Sequence, residues 1–216
     1  MSLQNRFTQQ ELGRIKTAVK GAESKISGEI VPVFVERSGF YTIANYRGSI
    51  ALATLTFLVI IILDRYVPAF AIYDPLLIFT FVLAGAMVGA GITHYVEPVK
   101  RLMVSQTHLD QATRKRAETA FMQEEVFNTR QRTGILIFVS FFEREVIVIA
   151  DKGISKVVDQ KDWDGIVRFI IEHIRRGKIV DGIEGAIKRC GELLLEKGFV
   201  IAPDDINELG DDLRVE

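Results

Sequence analysis

GILIFVSFFEREVIVIAD, Gly134–Asp151, decides how the soluble part of this chain folds. Two apolar runs, GILIFVSFF (134–142) and EVIVIAD (145–151), are parted only by Glu143 and Arg144. Runs of this length and spacing form a β-hairpin, because parallel strands need a much longer crossover. Before the hairpin, from about Pro98 to about Phe127, the sequence predicts one long polar helix whose weak apolar face is Leu109, Ala112, Ala117, Ala120, Phe121 and Phe127. After it, Trp163, Ile166, Val167, Ile170, Ile171 and Ile174 keep helical spacing, with Asp162 as expected cap and Gly177 as stop. Asp181 and Glu184 form a cap-like pair ahead of a last helix carrying Ile183, Ala186, Ile187, Cys190, Leu193 and Leu194. From Pro203 the chain is acidic and thin in apolar residues, and is expected to lie along the surface or fray.

The amino-terminal part supplies another helix and strand. Thr8 and Glu11 have capping-box spacing, and Leu12, Ile15, Val19, Ala22 and Ile26 recur every three or four residues. Gly28 is placed to end that helix, and GEIVPVFVE (28–36) reads as a strand in which Pro32 marks an edge or an irregularity. Helix, strand, helix, strand, strand, helix, helix is an α/β (α+β) sandwich, a central mixed β-sheet flanked by helices.

Between these parts the composition changes. Ile43–Leu63 holds one charge, Arg47, near its end, and Leu76–Val96 holds none. Each is long enough for the roughly 30 Å hydrocarbon layer at about 1.5 Å per residue. The link between them contains Asp64, Arg65, Pro68, Asp74 and Pro75, with Tyr66 and Tyr73 suited to an interface. A transmembrane hairpin therefore interrupts the soluble domain; the alternative is a helical pair buried in a larger soluble fold. The expected organisation is 1–42 and 98–202 as two parts of one domain, 43–97 as the hairpin and 203–216 as an acidic tail. Gly85, Gly89 and Gly91 permit close helix approach, either between the spans or between protomers. Arg37, Arg47, Lys100 and Arg101 flank the pair while Arg65 alone lies in the link, so the positive-inside rule puts both soluble segments in the cytoplasm. The expected location is the inner (plasma) membrane, multi-pass. The first residues show no apolar run of a cleavable signal, and the single cysteine fits a reducing compartment.

Composition gives no support to a nucleic-acid partner: net charge is −1 and no long basic run occurs. Phosphate-binding, nucleophile-elbow and zinc-protease signatures are missing from the sequence. His94, His108 and His173 are scattered, and Cys190 sits on an apolar stripe. Two acidic residues stand at strand ends, Glu29 and Asp151. If those ends meet, their carboxylates with loop carbonyls suit Ca²⁺ or Mg²⁺; otherwise Asp151 caps a turn and Glu29 faces solvent. Asp159, Asp162 and Asp164 lack the glycine and terminal glutamate of a calcium loop and read as a helix start. Arg130 and Arg132, in TRQRTG (129–134), are candidates for an anion, or for pairing with Glu29 or Asp151.

SGEIVPVFVE, then FNTRQRTGILIFVSFFEREVIVIADKGI, then WDGIVRFIIEHIRRGKIVDGIEGAIKRCGELL and INELGDD, taken in this order, resemble the TPM domain. The resemblance covers residues 7–36 and about 105–212 and is most specific over 132–153. It implies a central sheet flanked by helices. It also implies a role either as an assembly, repair or receptor-accessory partner or, as in plant members, as a calcium-binding acid phosphatase. The family's Asn-Gly and Gly-x-Gly stand here as Thr133-Gly134 and Asp151-Lys152-Gly153, so its metal loop is altered. The expectation is a noncatalytic accessory factor whose partner is a membrane protein or a second copy, with a divalent-metal-dependent phosphatase as the alternative.

Overall fold

The computed structural model describes residues 6–67, 69, 71–201 and 208–215; residues 1–5, Pro68, Phe70, 202–207, which include the start of the tail expected from 203, and Glu216 lie outside them. Two compact units are present, one drawn from residues 1–38 and 110–216 and the other from 39–109.

The first unit is a mixed four-stranded sheet between helices. Helix α1 (Gln9–Glu23) starts with the capping box: Thr8 Oγ1 accepts the Glu11 N–H at 3.2 Å while the Glu11 carboxylate accepts the Thr8 N–H at 2.8 Å. It buries Ile15, Val19 and Ala22 and ends at Glu23, well before Gly28. The stop comes early because Ile26 leaves the helix to bridge Val200. Gly28 has a packing role instead, since a Cβ there would lie 3.0 Å from the Thr133 carbonyl oxygen and 3.1 Å from Leu194 Cδ1.

Strand β1 (Glu29–Val35) runs parallel to β2 (Gly134–Ser140), with Glu29 opposite Gly134. Strand β3 (Glu145–Ala150) returns antiparallel to β2, and β4 (Arg214–Val215) pairs parallel with β1, giving the order β3-β2-β1-β4. Strands β1 and β2 are buried at every position, which explains their unbroken apolar runs. Pro32 is tolerated in this inner strand for a geometric reason. Glu29 donates its N–H to Thr133, and Val35 accepts from Phe141, so odd-numbered residues of β1 face β2. Pro32 faces the other side, where β4 pairs only with Val33 and Phe34.

Ile30, Phe34, Ile135, Ile137 and Val139 pack with α1, α7 (Gln160–Arg175) and α8 (Ile179–Glu196). Val31, Val33, Val35, Leu136 and Phe138 pack on Ala117 and Ala120 of α5 (Gln106–Gln123). The expected single polar helix is two: α4 (Glu97–Leu102) stops at Met103, and α5 restarts after the buried Val104. Helix α7 takes Asp159 rather than Asp162 as its N-cap. Asp181 and Glu184 lie inside α8, where both bind Arg14 of α1, at 2.7 Å each. Among the described residues of the carboxy-terminal segment, Leu209, Leu213 and Val215 pack onto the core, and β4 extends the sheet.

The second unit holds α2 (Thr42–Tyr66) and α3 (Pro75–Tyr95), which match the expected spans to within three residues, together with α4. Both are long and apolar enough to cross a membrane, with mean hydropathy 2.0 and 2.2 and 11% of each span's most apolar stretch buried. Asp74 caps α3 by accepting the Leu76 N–H at 2.8 Å. The glycines pack the two helices on each other: a Cβ at Gly89 would lie 2.3 Å from the Gly48 carbonyl oxygen, and one at Gly85 would lie 2.3 Å from Thr56 Oγ1. Gly91 has open space instead. Arg47 donates to the Met103 carbonyl at 2.8 Å, at the end of α4.

Candidate functional site

The start of β1, the start of β2 and the end of β3 lie at one end of the sheet, and the loop 129–133 folds against it. Thr129 organises that loop by accepting the Thr133 N–H on its hydroxyl at 2.9 Å and the Arg132 N–H on its carbonyl at 3.1 Å. Arg132 sits at φ +58°, in the left-handed region, and its carbonyl accepts the Gly153 N–H at 2.9 Å. Only glycine fits at 153, where a Cβ would be 2.5 Å from the Gln131 oxygen.

Asp151 is almost fully buried, at 4% exposure, and it caps the short helix α6 (Lys152–Ser155) by accepting the Lys152 N–H at 2.7 Å. The Arg132 guanidinium grips the same carboxylate at two points, 2.6 and 3.2 Å. This pair raises the Arg132 pKa. Of the pairings the sequence offers, Arg132 with Asp151 is therefore realised. Arg130 turns to Glu208, which accepts its backbone N–H at 2.9 Å and approaches its Nε at 3.5 Å.

Glu29 lies on the far side of β2 from Asp151, about 10 Å away across two strand spacings. Gly134 stands between them, and Val126 packs over it so closely that a Cβ would be 1.9 Å from the Val126 oxygen. Glu29 is buried rather than solvent-facing: its Oε1 accepts the Glu208 N–H at 3.0 Å, and its Oε2 is buried with no hydrogen-bond partner. Burial raises its pKa against the opposing backbone N–H groups of Glu208 and Leu209, and the carboxylates of Glu208 and Asp211 add to the rise.

Two neighbours of Glu29 escape a sequence reading. Glu23, in the last turn of α1, accepts the Ile30 N–H at 2.8 Å, and its other oxygen is buried without a partner. Burial first, then Glu29 and Asp211, push its pKa up to about 9, against the Ile30 N–H. Asp211, 8% exposed, arrives from the carboxy-terminal segment with Lys20 Nζ at 3.6 Å. The clue available in the sequence was Glu23, six positions before Glu29, with the acidic run that follows Leu209. Among the described residues no three His, Cys, Asp or Glu side chains are grouped to hold a metal ion.

Cys190 is fully buried in α8, and burial pushes its thiol up to about 12, which makes it a core residue. His94, His108 and His173 contact separate rings, those of Tyr95, Tyr41 and Phe169.

A family model, the TPM domain, matches residues 97–193. Among curated proteins none matches. The NMR structure of the BA42 protein from the psychrophilic bacterium Bizionia argentinensis is similar in fold, with TM-score 0.58 and 20% identity over 96% of this chain and 94% of that one. The matched segment supplies β2, β3 and the helices around them, whereas α1 and β1 complete the sheet from outside it. Residues 97–193 are thus similar to the TPM domain, and the likeness to BA42 shows the fold.

Proposed function

We propose that the protein is a membrane-anchored, noncatalytic accessory factor: a TPM domain held at the cytoplasmic face of the inner (plasma) membrane by a two-span hairpin, assisting a membrane complex. The observation that carries this reading is the closed Arg132–Asp151 pair. A metal phosphatase needs a carboxylate free for the cation and a guanidinium free for the phosphate; here each neutralises the other. The charge distribution around the hairpin supports the cytoplasmic orientation. Loss of Asp151 then leaves no enzymatic defect, and crosslinking in membranes recovers a membrane-protein partner or a second copy. A cytoplasmic reporter fused after Glu216 is active, and an active periplasmic reporter there would overturn the orientation.

One observation favours the second reading, a divalent-metal-dependent phosphatase. The unpartnered buried oxygen of Glu29 is the kind of group that a cation satisfies. In that reading Glu29 and Asp151, about 10 Å apart across β2, hold Ca²⁺ or Mg²⁺ only after the Arg132–Asp151 pair opens and the strand ends draw together, and Arg130 or Arg132 then receives the phosphate. Calorimetric titration of each cation into the detergent-solubilised protein, beside Asp151→Asn and Glu29→Gln, separates the two. Saturable binding lost in both variants, with phosphomonoester turnover lost alongside, selects the enzyme.

A further inference from the structure

Strand β3 lies at the edge of the sheet, paired on one side only. Asp151 donates its N–H to Gly134, so the odd-numbered residues 145–151 turn their backbone groups to β2. Val146, Val148 and Ala150 turn theirs outward. Ser155 Oγ occupies the Ala150 carbonyl at 2.8 Å, confirming that direction. The N–H and C=O groups of Val146 and Val148 and the N–H of Ala150 have no partner among the described residues.

Sheet proteins normally blunt such an edge with proline, lysine or a bulge. EVIVIA carries none of these, and its ladder to β2 is unbroken from Glu145 to Ala150. Ile147–Ala150 of this edge form one side of a cavity of about 630 Å³. Arg114 and Glu118 of α5 line it on one flank; Ser155, Val158 and Trp163 line it on the other. Val148 and Ala150 pack toward the core of α1, α7 and α8, and Ile147 and Ile149 toward α5, so apolar surface continues on both sides of the edge.

We propose that the outer edge of β3 receives an extended segment of a partner protein, with aliphatic side chains at alternate positions, as a fifth strand of the sheet. The unpartnered row of donors and acceptors asks for a strand rather than a helix. The flanking helices leave room for one slender chain, whereas a second copy would bring an equally walled edge that cannot reach the first. Alternating aliphatic side chains match Ile147, Ile149, Val158 and Trp163 in a lining that also carries polar groups, and the partner's own backbone supplies the missing hydrogen bonds. This rests on the accessory-factor reading and names the kind of segment that the domain would hold.

The test uses full-length, isotope-labelled protein in detergent and two blocked probe peptides of alternating valine and threonine, one of them N-methylated along one edge. Amide exchange at Val146, Val148 and Ala150 is expected to slow at least about tenfold with the first peptide and to stay unchanged with the second. Val148→Pro removes an outward donor without touching the β2 ladder and should weaken peptide binding about fivefold to tenfold. If that variant does not fold, the two peptides still decide the matter. Equal binding of both peptides, or no slowing at those amides, overturns the proposal. Slowing that depends on protein concentration without peptide also overturns it, in favour of a second copy. A photocrosslinker at Gln160 in membranes separates this from the underlying reading. A partner crosslinked in the wild type and lost in Val148→Pro supports the edge, and one retained overturns the edge while sparing the accessory role. Phosphomonoester turnover lost in Asp151→Asn would remove the accessory role itself.

Discussion

Glu23→Gln should stabilise the sheet-bearing unit, and increasingly so as pH rises. In the native state the Glu23 carboxyl is pushed up to about 9, chiefly by burial, while in the unfolded chain it returns to its ordinary 4.5. The native state therefore keeps a proton that the unfolded chain releases, and stability present below pH 4.5 drains away as pH climbs toward about 9. Each pH unit in that window is worth about 1.4 kcal/mol for a fully shifted site, so pH 7.5 corresponds to about 4 kcal/mol. Partial access of Glu23 to water lowers this to about 2 kcal/mol. Glutamine keeps an oxygen for the Ile30 N–H and adds donors facing Glu29 and Asp211, without carrying a proton that must be held. The single tryptophan, Trp163, is 5% exposed within the same unit, so its emission during urea unfolding in detergent reports this unit. The gain in the variant should be under about 1 kcal/mol at pH 5.5 and about 2 to 3 kcal/mol at pH 8.5. A gain that is flat across that range, or a variant weaker than wild type at pH 8.5, would show that Glu23 is ionised in the native state and refute the reasoning.

Other consequences are as direct. Cys190, buried and with its thiol pushed up to about 12, should resist maleimide in the folded protein and label fully in denaturant; labelling under native conditions would contradict its burial. Gly134→Ala sets a Cβ against the Val126 carbonyl and should cost about 3 kcal/mol, read from the same Trp163 transition; a loss below about 0.5 kcal/mol would mean the loop yields freely. Gly89→Leu should separate α2 from α3 and make the pair more open to limited proteolysis in detergent, whereas Gly91→Leu, facing open space, should leave the proteolysis rate unchanged.

Much of the architecture was legible because the burial pattern is plain. Strands β1 and β2 are covered on both faces, so their uninterrupted aliphatic runs identify them, and Gly134–Ala150 admits only a hairpin. The two long apolar helices announce themselves by length and by scarcity of charge. Strand β4 was not legible: two residues paired to Val33 and Phe34 leave no periodicity, and the acidic residues around them resemble a solvated end. The break between α4 and α5 was also hidden, since Met103–Ser105 contains neither proline nor glycine. At the strand ends, the sequence drew attention to Glu29, Asp151, Arg130 and Arg132, and the Arg132–Asp151 pairing was among its alternatives. It did not reveal Glu23 or Asp211, because contacts between the end of the first helix and the last strand depend on sheet order, which local patterns do not encode.

The hairpin inserted between β1 and β2 bears on how the sheet assembles. Pairing Glu29 with Gly134 closes a loop of about a hundred residues, an entropic cost near 4 kcal/mol beyond the constant term. Once α2 and α3 have packed at Gly48 and Gly89, the chain enters and leaves them at nearly the same place, and some fifty residues drop out of that loop. Halving the loop recovers about 0.6 kcal/mol and, more importantly, shortens the search for a parallel partner strand. Packing of α2 on α3 therefore primes closure of the sheet, so that a domain with its strands in register is itself a record that its two apolar helices have found each other.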